Sequence, residues 1–157
     1  MKNLSKLFIV FALGVLGSNI ASAQSSLSDD KAIKAREVDS LIKCKSFVFE
    51  ATREDLKKGE KPLPYHVYDV AISKDTLIAY LPTKSGGILK FDCTNYGYNT
   101  WKAENGDMII VLNPNTSMSD VKELRLDITP LGHASLSVKR PNKIVMAFDG
   151  YVKQESY

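Results

Sequence analysis

Two histidines, scattered serines and carboxylates, two cysteines and a set of aromatic residues are the side chains here whose types can do chemistry. His133 shares its alternation with Ser135 and Ser137, away from Leu136, which puts it on the solvent side of a strand or at its rim. His66 has the parity of Tyr68, Val70 and Ile72, which points to one end of a sheet or barrel. A Ser–His–Asp site needs three groups brought together beside an oxyanion hole. No Gly-x-Ser-x-Gly elbow or comparable signature accompanies these residues. Asp92, Asp127 and Asp149 alternate with apolar neighbours, the pattern of an outward face. A carboxylate pair for glycoside chemistry would have to come from strands distant in sequence, and no local signal selects one. Gly86-Gly87 opens a strand rather than a helix, so a phosphate-binding loop is not expected. With two histidines and no C-x-x-C pair, neither a zinc cluster nor a redox dithiol is indicated. The expectation is a protein without catalytic residues, bound metal or cofactor, with hydrolysis as the remote alternative.

The aromatic residues are the stronger chemical signal. Tyr68, Tyr80 and Tyr98, with Trp101 at the mouth, are the candidates to line a chamber for a small apolar ligand. The competing reading is that aromatic side chains fill the core and decorate its rim. Cys44 and Cys93 can form a disulfide in an oxidising compartment, or remain two free thiols.

What positions these residues is a succession of short strands. Leu124, Leu126 and Ile128, then Ala134, Leu136 and Val138, then Ile144, Met146 and Phe148 form three apolar rows of period two. Pro130-Leu131-Gly132 and Arg140-Pro141-Asn142 interrupt them with turn-forming residues. The preceding chain repeats the style. Strands are expected over 46–52, 65–73, 76–81, 88–93, 96–103 and 108–112, with Asn105-Gly106 as a hairpin signal. Residues 53–64 are charged and carry two prolines, so an exposed loop is expected there; 113–120 reads as a second long polar loop. Ser28 can cap a helix over about 28–43, with Ala35, Val38, Leu41 and Ile42 as its apolar stripe. No helix lies between strands, which excludes parallel crossover units. The fold class is therefore all-β: roughly nine strands in an antiparallel up-and-down meander, closing into a barrel, with one short N-terminal helix.

The first residues stand apart. Lys2 and Lys6 precede an apolar run over 7–16, and Ala21-Ser22-Ala23 is a small-x-small cleavage site. Residues 1–23 read as a secretory signal peptide, and 24–157 as a single domain in the periplasm or outside the cell. Removing Lys2 and Lys6 from 21 Lys+Arg leaves 19 against 18 Asp+Glu, so the remaining chain is nearly neutral. That gives no electrostatic basis for binding nucleic acid.

The ordered features Leu81-Pro82, the aromatic segment from Tyr96 to Trp101, Leu124-Arg125-Leu126-Asp127-Ile128, Gly132-His133-Ala134 and Phe148-Asp149-Gly150-Tyr151-Val152 carry a resemblance. The chain resembles the secreted proteins of domain-of-unknown-function family 4251 from Bacteroidetes-type bacteria, over most of 24–157. It departs from the family pattern after Leu81-Pro82, where Thr83-Lys84-Ser85-Gly86-Gly87 replaces a Tyr and a Gly-Arg loop. The resemblance implies a lipocalin-like barrel and no activity. Asp39-Ser40-Leu41 and Asp75-Thr76-Leu77 are similar to the Asp-(Ser/Thr)-apolar O-glycosylation pattern of such secreted proteins, which makes Ser40 and Thr76 candidate acceptors. The expected role is binding of a small apolar ligand or an envelope component; the alternative is a structural or protein-interaction module with a filled core.

Overall fold

The structure, a computed structural model, describes residues 27–56, 59–115, 120–141 and 143–155. The expected signal peptide, residues 1–23, lies outside the described residues. A helix, α1, occupies 27–44. Ten strands follow: β1 (Phe47–Leu56), β2 (Gly59–Pro62), β3 (Asp69–Ile72), β4 (Thr76–Pro82), β5 (Ile88–Thr94), β6 (Gly97–Lys102), β7 (Met108–Asn113), β8 (Glu123–Ile128), β9 (His133–Arg140) and β10 (Lys143–Lys153). Among the described residues, no helix is long and apolar enough to cross a membrane.

The strands form one antiparallel sheet in the order β5-β4-β3-β1-β10-β9-β8-β7-β6, curled into a half-barrel. Eight antiparallel pairings separate β5 from β6, so the two edge strands run in the same direction. They are also consecutive in the chain, joined by Asn95-Tyr96, with Asn95 at a φ of 57°. The two edges of the sheet are therefore two halves of one bent strand, the first half paired to β4 and the second to β7. Up-and-down order is kept everywhere else, and β1 closes the meander by pairing with β10.

The predicted loop over 53–64 is partly a hairpin. β1 continues to Leu56, and β2 returns against it with Arg53 opposite Pro62 and Leu56 opposite Gly59. All four β2 residues are exposed, so no apolar row betrayed the strand. Conversely, the strand expected from Tyr65 begins only at Asp69; residues 65–68 form a turn. His66 takes a φ of 57° there, which strands do not use.

Inward residues follow the period-two rows. β4, β8 and β9 alternate buried with more exposed positions, and Leu77, Leu81, Leu124, Leu126, Ile128 and Leu136 fall on the buried side. Phe47, Phe49, Phe91 and Phe148 are fully buried in the same cluster. Such a set is worth roughly 2 kcal/mol per large side chain removed from water, before the entropy of ordering it. The last turns of α1 join this core through Val38 and Ile42, and Tyr98 donates a hydrogen bond to the Ile42 carbonyl at 3.1 Å.

Small residues make room where backbones converge. Ile128, Ala134, Gly150 and Ala51 succeed one another across four strands. A Cβ on Gly150 would lie 1.9 Å from the Glu50 carbonyl oxygen and 3.1 Å from the Ala51 Cα. Beside this point β1 carries a bulge between Ala51 and Arg53, with the Thr52 hydroxyl donating to the Asp149 carbonyl. The clash is with backbone, which cannot rotate away. Gly150→Ala is expected to cost about 3 kcal/mol or more, measured by chemical denaturation, whereas Gly87→Ala, which meets only the Thr83 side chain, should cost far less. Equal midpoints for the two variants would contradict the packing described.

Candidate functional site

The outward face, rather than the interior, gathers the polar side chains. Trp101, Ile109, Asp127, Ser135, Asp149 and Arg53 are successive cross-strand partners over β6, β7, β8, β9, β10 and β1. Alternation puts all six outside, because their neighbours in sequence point inward. The bulge at Thr52 and the segment 62–65 raise one wall beside this row. The result is an open cleft of about 580 Å³ lined by Arg53, Leu63, Tyr65, Asp107, Asp127, His133, Ser135, Asp149 and Tyr151, among others.

Its carboxylates are held in fixed orientations. Arg125 Nε donates to both oxygens of Asp127, at 3.2 and 3.1 Å, and Nη2 donates to Oδ1 at 2.8 Å. Ser135 Oγ donates to Asp149 Oδ1 at 2.9 Å, and Arg53 Nη2 stands 3.8 Å from Asp149 Oδ2. Asn105 Nδ2 donates to Asp107 Oδ2 at 2.7 Å. Tyr65 and Tyr151 are 74% and 48% exposed, and the Tyr151 ring packs on His133 with centroids 4.6 Å apart. The Ser135 hydroxyl is thus bonded to a carboxylate, and His133 to its side is engaged with an aromatic ring.

Along the same face, a second group ties the cleft's wall to the sheet. Glu50 points outward from β1 yet is 7% exposed, because the 64–68 turn covers it. It accepts hydrogen bonds from the His66 backbone N–H at 2.9 Å and from Lys153 Nζ, and His66 Nδ1 lies 3.1 Å from Oε1. Burial pushes the Glu50 carboxyl up, but the bonds from Lys153 and His66 and their charges carry it, on balance, below its ordinary value of 4.5. Its cross-strand partner Asp69 moves the other way: burial raises it, the Lys153 charge opposes the rise and the Glu50 charge adds to it. Sequence parity could not find Glu50, since it reads as an ordinary outward carboxylate. Glu54 was equally hidden. It faces inward opposite Phe148 at 4% exposure, and its Oε1 has no hydrogen-bond partner in the structure.

The aromatic residues expected to share a chamber are dispersed. Tyr80 lies on the outward side of β4, between buried Ala79 and Leu81, and stacks on Tyr68 with centroids 6.0 Å apart. Tyr98 faces the core and carries Lys45 Nζ 4.5 Å from its ring centroid. Burial raises its hydroxyl pKa, as it does that of Tyr96, which is pushed up to about 12. Trp101 is 45% exposed on the outer face of edge strand β6. Opposite faces of a sheet cannot line one chamber, so the four do not form the interior ligand site their parity suggested. His133 lies outward with Ser135, as expected. Ser40 is exposed on α1, and Thr76 is half-buried at the start of β4.

The disulfide alternative is not realised. Cys44 is exposed at the end of α1, while Cys93 points inward from β5 and is buried; both are free thiols. Burial pushes the Cys93 thiol up, against a partial offset from the Asn115 backbone N–H. Native protein is expected to react with a thiol reagent in two phases, a fast one at Cys44 and a slow one at Cys93. Absence of any thiol reaction after unfolding would show instead that the two are bonded.

The Glu50 cluster sets a pH dependence. Because its folded pKa is depressed, its stabilisation is complete above the unfolded value near 4.5 and is lost as pH falls through the folded value. Asp69, raised from 3.8, contributes with the opposite sign, so its unfavourable contribution is relieved in acid. Glu50→Gln should cost about 1–3 kcal/mol at neutral pH and remove most of that difference in more acidic solution. Denaturation midpoints of the wild type, Glu50→Gln and Asp69→Asn across this range test it; a Glu50→Gln loss independent of pH would contradict the assignment.

The comparisons with known proteins agree with the architecture. The DUF4251 domain-of-unknown-function family matches residues 29–152. The crystal structure of a DUF4251 family protein from Bacteroides eggerthii DSM 20697 superposes with a TM-score of 0.66 at 14% identity, covering 78% of this chain and 89% of that one. At that identity the likeness is one of fold. No curated protein matches the chain.

Proposed function

This chain belongs to the DUF4251 family, and from that premise we propose that it is a non-enzymatic binding module of the cell envelope that works through the outer cleft of its sheet. The observation that carries the reading is the contrast between the two faces. Inside, Phe47, Phe49, Phe91 and Phe148 are packed to full burial, and the tyrosines counted on to line a chamber are spread over both faces. Outside, a cleft of about 580 Å³ combines oriented carboxylates, a hydroxyl, a guanidinium and exposed aromatic rings. That volume is within the range of small-molecule sites. The lining mixes apolar surface with the charged groups of Arg53, Asp107, Asp127 and Asp149, which suits a ligand carrying polar groups better than a wholly apolar one.

Export fits the leader over residues 1–23: a basic start, an apolar run and a small-residue cleavage site. That leader supports a location in the periplasm or outside the cell, where an envelope component is at hand. A non-catalytic role fits the pairing of Ser135 with the weakly basic Asp149 carboxylate, while the His133 ring packs against Tyr151.

Co-sedimentation of the purified secreted form with isolated cell envelopes tests the reading. Wild type and Lys90→Ala, on edge strand β5 away from the cleft, are expected in the pellet. Ser135→Arg, which fills the cleft, is expected to shift to the supernatant by about tenfold. Wild type remaining in the supernatant, or Ser135→Arg pelleting like wild type while still folded, would overturn it.

A further inference from the structure

Building on the outer cleft as the working surface, we infer that its ligand is a neutral saccharide, recognised through hydroxyl groups spread along its length. A sugar presents two chemistries at once: a ring of hydroxyls that both donate and accept, and an apolar face of C–H groups. The cleft presents the complement of each. Asp127 and Asp149 are acceptors two strands apart in one cross-strand row, with the Ser135 hydroxyl on the strand between them. Strands are spaced about 4.8 Å apart, so the two carboxylates stand about 10 Å apart along the row, a distance spanned by hydroxyls at opposite ends of one sugar ring, or of two linked rings, each reaching one acceptor. Each carboxylate has room for further hydrogen bonds, because two oxygens offer about four lone-pair sites. Arg125 and Ser135 occupy only some of those on Asp127 and Asp149.

The same internal bonds argue against the other ligand classes. Arg125 offsets the charge of Asp127, and Arg53, bonded to Glu60, also stands 3.8 Å from Asp149, so part of the negative charge a cation would seek is already opposed. Among the described residues no group of three or more His, Cys, Asp or Glu is placed to hold a metal ion. An anion would meet three carboxylates in the lining. A neutral polyol has neither penalty.

The aromatic contribution comes from Tyr151 and Tyr65 at the cleft and from Trp101 at the far end of the row. Tyr151 and Trp101 are about half exposed and Tyr65 is largely so, each offering a ring face to the C–H side of a sugar. His133 packs against Tyr151 and fixes its ring. The Glu50 cluster holds the 64–68 turn, and with it Tyr65, at the edge of the cleft. These side chains sit on strands or on a tethered turn, so little conformational entropy is lost when a ligand binds.

Amide chemical-shift titrations of the isotopically labelled secreted form test the inference, with glucose, galactose, mannose and N-acetylglucosamine as probes, and spermidine and laurate as comparisons. The expected result is saturable movement of the Asp127, Ser135 and Asp149 amides with at least one sugar, in the millimolar range. Tyr151→Ala and Ser135→Ala should each weaken it by about tenfold, and Lys90→Ala should leave it unchanged. Two single variants guard against a fold defect in either, which the spectrum itself reports. Saturation of the same amides by spermidine and by no sugar would overturn the ligand class while leaving the cleft as the binding surface. Movement of core amides with laurate would overturn both readings. No saturable shift with any sugar would overturn this inference, and envelope co-sedimentation then decides separately whether the cleft binds at all.

Discussion

The close passage of β1 over Gly150 is the constraint on which the rest of the sheet depends. β10 is the longest strand, and β1 must pair with it to join the two halves of the meander. At Gly150 the Glu50 carbonyl comes so near that no side chain fits. The neighbouring bulge lets β1 bend there and exchange partners along its other edge, from β3 over Phe47 to Glu50 to β2 over Arg53 to Leu56. Without that exchange the first half of the sheet could not curl toward the second, and the bent strand formed by β5 and β6 could not serve both edges.

The same bend shapes the outer surface. An extra residue at Thr52 turns Arg53 outward opposite Asp149, beside the row that Ser135 and Asp127 continue. The chain after β2 stays tied to the bulge, with the Leu63 N–H donating to the Thr52 carbonyl, and Pro62, Leu63 and Tyr65 line one side of the cleft. Bulges often accompany sites because they aim side chains where a regular ladder would not. Here one irregularity joins the packing of the core to the formation of the cleft.

Charge placement follows from the same geometry. Glu50 and Asp69 face each other across β1 and β3, and the turn that covers Glu50 excludes water from one carboxylate of a like-charged pair. Lys153 and the His66 backbone make that tolerable by satisfying Glu50, and Asp69 takes the strain as a raised pKa. A buried outward acid of this kind is a latch: it adds polar anchorage to a turn in which Tyr65, His66 and Val67 are exposed and Tyr68 packs against the core.

The period-two rows from Leu124 to Phe148 determined, without any structure, that the C-terminal part is a three-strand antiparallel meander, and their parity placed His133, Ser135, Asp127 and Asp149 on the outside. That much is local, because alternation of side chains along a strand does not depend on what the strand packs against. The apolar stripe of Val38 and Ile42 likewise identified the face of α1 that joins the core. Four features were decided only by tertiary structure. The β2 hairpin has no buried face, so no pattern marked it. Tyr80 and Tyr98 have the same even parity but lie on opposite faces, because odd positions point inward on both β4 and β5 and the kink at Asn95 then resets the phase for β6. Cys44 and Cys93 could not be paired or separated from spacing, since a disulfide depends on the distance between an exposed helix end and an inward strand position. The cleft depends on which strands stand side by side: Asp127, Ser135, Asp149 and Arg53 are distant in sequence and become one row only when β8, β9, β10 and β1 pair in register.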